Sequence, residues 1–151
     1  MKVDGAPYRT IWLADDGWAV EIIDQTKLPH EFVTLRLEGL DDACAAIRDM
    51  RVRGAPLIGA ATAYGMALAV HMDPSDNAIA KARDALHATR PTAVNLSWAL
   101  DEMDTLLAPL LPRLRSAVGH ESLCFNAGAE DQASSRLLQR QHTQKSETFL
   151  P

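Results

Sequence analysis

The chain has 151 residues, with 15 lysines and arginines against 20 aspartates and glutamates, and a formal net charge of -5. Hydrophobic residues make up 47% and charged residues 23%, the balance of a water-soluble globular domain. This length excludes a large two-domain enzyme within the chain, and the mild acidity gives no attraction to nucleic acid or to an anionic membrane.

The first part reads as β-rich. Tyr8 to Leu13 and Trp18 to Ile23 are aromatic and β-branched, and Asp15-Asp16-Gly17 between them supplies a turn with positive φ at the glycine. Gln25 to Glu31 is a polar connection containing Pro29, and Phe32 to Leu37 alternates as a third strand. The period then changes. Leu40, Ala43, Cys44 and Ile47 share one helical face, with Asp41 and Asp42 in the first turn and Arg48 and Arg51 near the end. Gly54 can end this helix and Pro56 can open the next, which runs to about Met72 before Asp73-Pro74-Ser75. Its apolar stretch from Ala55 to Val70 is built on alanine and glycine and is short for a membrane span, so it reads as a helix packed closely on protein. A third helix covers Asp76 to His87, and a fourth runs from about Ala93 to Leu107, carrying Val94, Trp98 and Leu106. Short loops make these helices antiparallel neighbours. The expected class is therefore α+β: a small antiparallel sheet in residues 1–39, then an antiparallel helical bundle in residues 40–111. Residues 112–151 form a divergent tail, rich in glutamine and serine, expected to be poorly ordered apart from a helical turn at Ser134 to Leu138.

Two cysteines, Cys44 and Cys124, cannot form a disulfide framework, which points to a reducing, cytoplasmic setting. Met1 to Gly5 is polar and lacks an apolar signal core. Five scattered histidines and no Cys-x-x-Cys give no metal-ligand spacing. His71 and His87 read as helix C-terminal residues, Cys44 as a small core residue, and Trp12, Trp18 and Trp98 as core or interface anchors. Asp24 and Asp49 could serve as acids or bases, but the sequence shows no partner for either, and solvated or capping roles suit them better.

One pattern occurs twice. Arg53-Gly54-Ala55-Pro56 precedes one helix, and Arg90-Pro91-Thr92 precedes another. Each sets an arginine ahead of a helix start, where unpaired N–H groups and the positive end of the dipole converge. Gly54 lets a ligand approach the backbone, and a guanidinium matches phosphate oxygens. Two such corners facing one pocket would hold a phosphorylated metabolite. Spacing alone leaves a plainer alternative open, in which each arginine caps the carbonyls of the helix before it.

Longer stretches then carry a resemblance. Met1-Lys2-Val3-Asp4-Gly5, Tyr8-Arg9-Thr10-Ile11-Trp12, Ile23-Asp24-Gln25-Thr26-Lys27-Leu28-Pro29, Ala46 to Gly59, Ala63 to Leu68, and Thr89-Arg90-Pro91-Thr92-Ala93-Val94-Asn95-Leu96 closely resemble the N-terminal region of methylthioribose-1-phosphate isomerase, from residue 1 to about 110. The resemblance implies an aldose–ketose isomerase of methionine salvage. It would convert 5-methylthioribose 1-phosphate to 5-methylthioribulose 1-phosphate, without metal or organic cofactor, as a homodimer. It implies substrate contacts from Arg53, Gly54, Ala55 and Arg90. It also implies a Rossmann-like C-terminal domain bearing the catalytic cysteine and the acid/base aspartate, and neither that domain nor those groups is found in this chain. Cys124-Phe125-Asn126-Ala127-Gly128 echoes the family's cysteine stretch, but Phe125 intervenes, so a free tail cysteine is the default and no catalytic residue is assigned.

The expectation is a truncated N-terminal portion, nearly inactive alone. Ile58, Met66 and Val70 are expected to line an apolar surface where the second domain would dock. Alternatives are a non-catalytic sugar-phosphate-binding module like the regulatory subunits of initiation factor 2B, ribose-1,5-bisphosphate isomerase, and an inert remnant.

Overall fold

A computed structural model describes the backbone of residues 2–3 and 6–115, with side chains from residue 8 onward. Strands β1 (Lys2–Val3) and β2 (Ala6–Pro7) pair antiparallel. Strands β3 (Ile11–Leu13), β4 (Val20–Ile23) and β5 (Thr34–Leu37) form an antiparallel sheet in the order β3–β4–β5. Its register sets Ile11 opposite Ile22 and Val20 opposite Leu37. The period-2 pleat turns these four to the core, where all are buried. Gly17 takes φ +82° in the β3–β4 turn, as read from the sequence. Asp16 Oδ1 holds that turn by accepting the N–H groups of Trp18 and Ala19, each at 3.1 Å.

Helices α1 (Leu40–Arg48), α2 (Ala55–Met72), α3 (Asp76–Thr89) and α4 (Val94–Leu107) follow. Helix α1 stops earlier than its arginine and glycine signals predict. Met50, not Gly54, ends it, in the left-handed conformation at φ +60°. The N–H of Met50 bonds the carbonyl of Ile47 and that of Arg51 bonds Ala46, closing the end of the helix in a Schellman arrangement. Gly54 belongs to the next element: it is the N-cap of α2, with φ +95°. Helix α3 begins at a capped serine, Ser75 Oγ accepting the Ala78 N–H at 3.2 Å.

Helix α2 is the axis of the bundle, with α1, α3 and α4 packed around it. Its length and apolarity would suffice to cross a membrane, yet two thirds of it is buried within this fold. Small residues explain the close fit. A Cβ on Gly65 would sit 3.0 Å from Ala43 Cβ and 3.0 Å from Leu86 Cδ2, so α1, α2 and α3 meet where that methyl is absent. The expected apolar surface is not found: Ile58, Met66 and Val70 are 6%, 0% and 0% exposed, because the faces of α2 that carry them are packed within the bundle. Helix α4 buries Leu96, Ala99, Leu100, Met103 and Leu107, while Val94, Trp98 and Leu106 stay exposed. Trp98 is thus no core anchor. Trp18 is part-buried and stacks on His71 at the end of α2, with centroids 5.4 Å apart. That contact ties sheet to bundle.

Order continues past residue 111. A helical turn at residues 112–115 follows α4, and its last residue, Arg115, is buried. Its Nε donates to the carbonyls of Leu110 (2.9 Å) and Leu107 (3.2 Å), and its Nη1 to Pro74 (2.9 Å), with Asp76 Oδ1 at 2.7 Å. One side chain thus joins the end of α4 to the α2–α3 turn. The expected helical turn at Ser134 to Leu138, and Cys124, lie outside the described residues.

Candidate anion-binding site

The segment before α2 is held by the connection after β4. Gln25 donates its N–H to the carbonyl of Arg51 at 2.9 Å, and its Oε1 accepts the N–H of Arg53 at 3.1 Å. Asp24 fixes that connection: its Oδ1 accepts both the N–H (2.9 Å) and the hydroxyl (2.6 Å) of Thr26. Burial pushes the Asp24 carboxyl up, but the Thr26 donors outweigh it and hold it below the ordinary range. Its role here is structural.

Gly54 then turns the chain into α2, leaving the first N–H groups of that helix without intrahelical partners. A second helix start lies beside it. Arg90 is the residue that follows α3, and its carbonyl accepts the N–H of Ala93, from which α4 begins; among the described residues the Arg90 guanidinium makes no hydrogen bond to the carbonyls of α3. The two starts are brought together at Gly59, where a Cβ would lie 3.2 Å from the Asn95 carbonyl oxygen and 3.6 Å from Asn95 Cβ. Only a residue without a side chain lets α4 approach α2 this closely.

Between the two helix starts is a concavity of about 430 Å³, lined by Gly54, Ala55, Ile58, Arg90, Ala93, Val94 and Asn95. Three of the four residues named from the sequence, Gly54, Ala55 and Arg90, surround it. Arg53 does not line it. Its guanidinium is turned to the carbonyl of Gln25, so in this conformation it neither faces the concavity nor caps the helix before it. Among the described residues no carboxylate forms an ion pair with Arg90. Its charge and the two dipole ends add, and together they suit an anion. None of the lining residues is a carboxylate, thiol or imidazole, so the lining supplies no group for proton transfer.

The remaining candidates lie elsewhere. Cys44 is buried in α1, where burial and then the neighbouring Asp41 push its thiol up, as befits an inert core residue. Asp49 is exposed and 3.8 Å from Arg51. Ile58 and Asn95 were not singled out for this site from the sequence. Ile58 looked like a docking residue, and Asn95 gave no signal beyond lying five residues after Arg90.

The chain is 57% identical over 136 residues to the methylthioribose-1-phosphate isomerase of Paramagnetospirillum magneticum, covering 88% of this chain and 38% of that protein. It is 52% identical over 142 residues to the same-named protein of Methylorubrum extorquens, covering 91% and 38%. It is a relative of the N-terminal part of the methylthioribose-1-phosphate isomerases. No family model matches it. The chain spans about two fifths of the length of these isomerases. The longer matches also reach beyond Arg115, so similarity to the isomerases continues into the segment that composition alone marks as divergent. Among solved structures, the 5-methylthioribose 1-phosphate isomerase of Pyrococcus horikoshii superposes with a TM-score of 0.65 at 32% identity, covering 76% of this chain and 35% of that one. The translation initiation factor eIF-2B subunit delta of A. fulgidus superposes with 0.67 at 30%, covering 80% and 37%. The α+β fold is shared by both, so the fold does not choose between isomerase and translation factor. The higher identities belong to the isomerases.

Proposed function

We propose that this chain supplies the sugar-phosphate-gripping part of a methylthioribose-1-phosphate isomerase. The observation that carries the reading is the meeting of Gly54, Ala55 and Arg90 around one concavity, in a chain 57% identical to a protein of that name. The phosphate takes the N–H groups at the start of α2 and the guanidinium of Arg90. Arg53 joins them by leaving the Gln25 carbonyl, since an exposed guanidinium on a flexible stem loses little by changing partner. The reaction moves hydrogen between C1 and C2 of the sugar and needs an acid/base group, which the concavity does not offer. Binding is therefore the task of this part, and turnover by these residues alone is expected to be negligible. The acidic net charge and the buried α2 support a freely diffusing metabolite in the cytoplasm as ligand, rather than nucleic acid or membrane. A homodimer is the assembly in which the isomerase would work.

The test is titration of the chain with methylthioribose 1-phosphate, followed by backbone amide chemical shifts. Shifts are expected at Gly54, Ala55 and Asn95, and Arg90→Ala should weaken binding by about 30- to 1000-fold, as for loss of one charged donor worth about 2–4 kcal/mol. Undiminished binding by that variant refutes the reading.

A further inference from the structure

The side chain of Asn95 is given no part in the phosphate grip proposed above, yet the residue's position is closely constrained. It occupies the second residue of α4, half-buried, on the wall of the concavity, and its backbone lies against α2 where Gly59 lacks a side chain. The other lining residues offer one cation, Arg90, a bare backbone at Gly54, or the apolar surfaces of Ala55, Ile58, Ala93 and Val94. Asn95 is thus the one side chain on this wall with both a hydrogen-bond donor and an acceptor. Among the described residues its carboxamide has no hydrogen-bond partner. A carboxamide spent on structure would cap a helix end or join a network; this one belongs to a residue on the wall of the concavity and is engaged in neither. A phosphate offers only acceptors, and Arg90 with the helix N–H groups already satisfies those. A sugar hydroxyl both donates and accepts, and the carboxamide matches it.

We infer that Asn95 is the hydroxyl-reading residue of this site: it tells a phosphorylated sugar from a bare phosphate by engaging a hydroxyl of the ring. The inference rests on the sugar-phosphate reading above, and adds to it the means of selectivity. Gly59 is the corresponding positioning residue, because a methyl group there would press on the Asn95 carbonyl and move the carboxamide.

The test uses the full chain and two probes, inorganic phosphate and methylthioribose 1-phosphate, titrated into wild type, Asn95→Ala and Arg90→Ala. Alanine is a stronger helix former than asparagine, so the first variant should fold, and its circular dichroism and thermal midpoint check that. Asn95→Ala is expected to bind the sugar phosphate about 10-fold more weakly, the effect of one hydrogen bond, with phosphate affinity unchanged. Arg90→Ala should lose both probes. If Asn95→Ala binds both probes as wild type does, or loses both equally, the hydroxyl role is overturned while the phosphate site stands. If Arg90→Ala keeps both, the anion site itself is wrong and this inference goes with it.

Discussion

Replacing Arg115 tests whether a single side chain closes the described fold. Its guanidinium reaches three backbone carbonyls, those of Leu107 and Leu110 at the end of α4 and of Pro74 in the α2–α3 turn, and pairs with Asp76. The Leu107 carbonyl at the end of α4 already accepts the Leu110 N–H at 3.1 Å, and the arginine adds a second donor there and a donor to Leu110, a cap delivered from downstream. Hydrogen bonds from a charged donor contribute about 1.5–3 kcal/mol each when buried. The total is less than the sum of these bonds. The Nε bond is shared between two carbonyls and counts once, and water can reach the carbonyls once the side chain is gone. Asp76 is 85% exposed and adds nothing appreciable. Arg115→Ala should therefore cost about 2–4 kcal/mol. For a domain of this size that lowers the thermal midpoint by roughly 10–20 °C. Arg115→Lys, which keeps the charge but cannot span three carbonyls, should fall between. Urea denaturation of the three proteins gives the energies. If Arg115→Ala lies within about 0.5 kcal/mol of wild type, the clasp contributes nothing and the fold closes by core packing alone.

Three other outcomes follow from the packing. Gly65→Ala gains about 1 kcal/mol of helix propensity but drives a methyl into Ala43 Cβ, which cannot rotate away; a net loss of about 1–2 kcal/mol in urea denaturation is expected, and a more stable variant would show that α1 can yield. The Asp24 carboxyl sits below its ordinary value near 3.8, so its contribution is complete above that pH and is lost as pH falls through the lower folded value. Asp24→Asn should accordingly be less stable than wild type near neutrality and approach it in acid, as read by thermal midpoints from about pH 6 to pH 2. In a Cys124→Ser background, Cys44 should resist alkylation in the folded protein and react at once in denaturant; rapid labelling under native conditions would contradict its buried, raised-pKa state.

Much of this molecule is set by local sequence. The turn at Gly17, the start of α2 at Ala55 just ahead of Pro56 and the break at Asp73-Pro74-Ser75 depend on residues whose backbone preferences act over four or five positions, and they appear within a residue of where those preferences put them. The α+β order and the arginine-bearing helix starts follow from the same short-range chemistry. What local chemistry misjudged is instructive. Met50 accepts a left-handed φ, which costs a non-glycine residue about 1 kcal/mol, because the hydrogen bonds to Ala46 and Ile47 and the burial of Val52 hold the chain there. Gly54 is thereby released to cap α2.

Tertiary contact alone decided the rest. Ile58, Met66 and Val70 read as a surface because one helix viewed singly must have an outside, whereas α2 is enclosed by three others. Arg53 and Arg90 look equivalent in sequence, yet the fold gives Arg90 the concavity and turns Arg53 to Gln25, a partner 28 residues away. The meeting of the two helix starts depends on the absence of a side chain at Gly59 opposite Asn95, 36 positions on. Periodicity and capping act along the chain and are visible in it; which faces are covered, and which corners meet, depends on packing between segments that the sequence holds far apart.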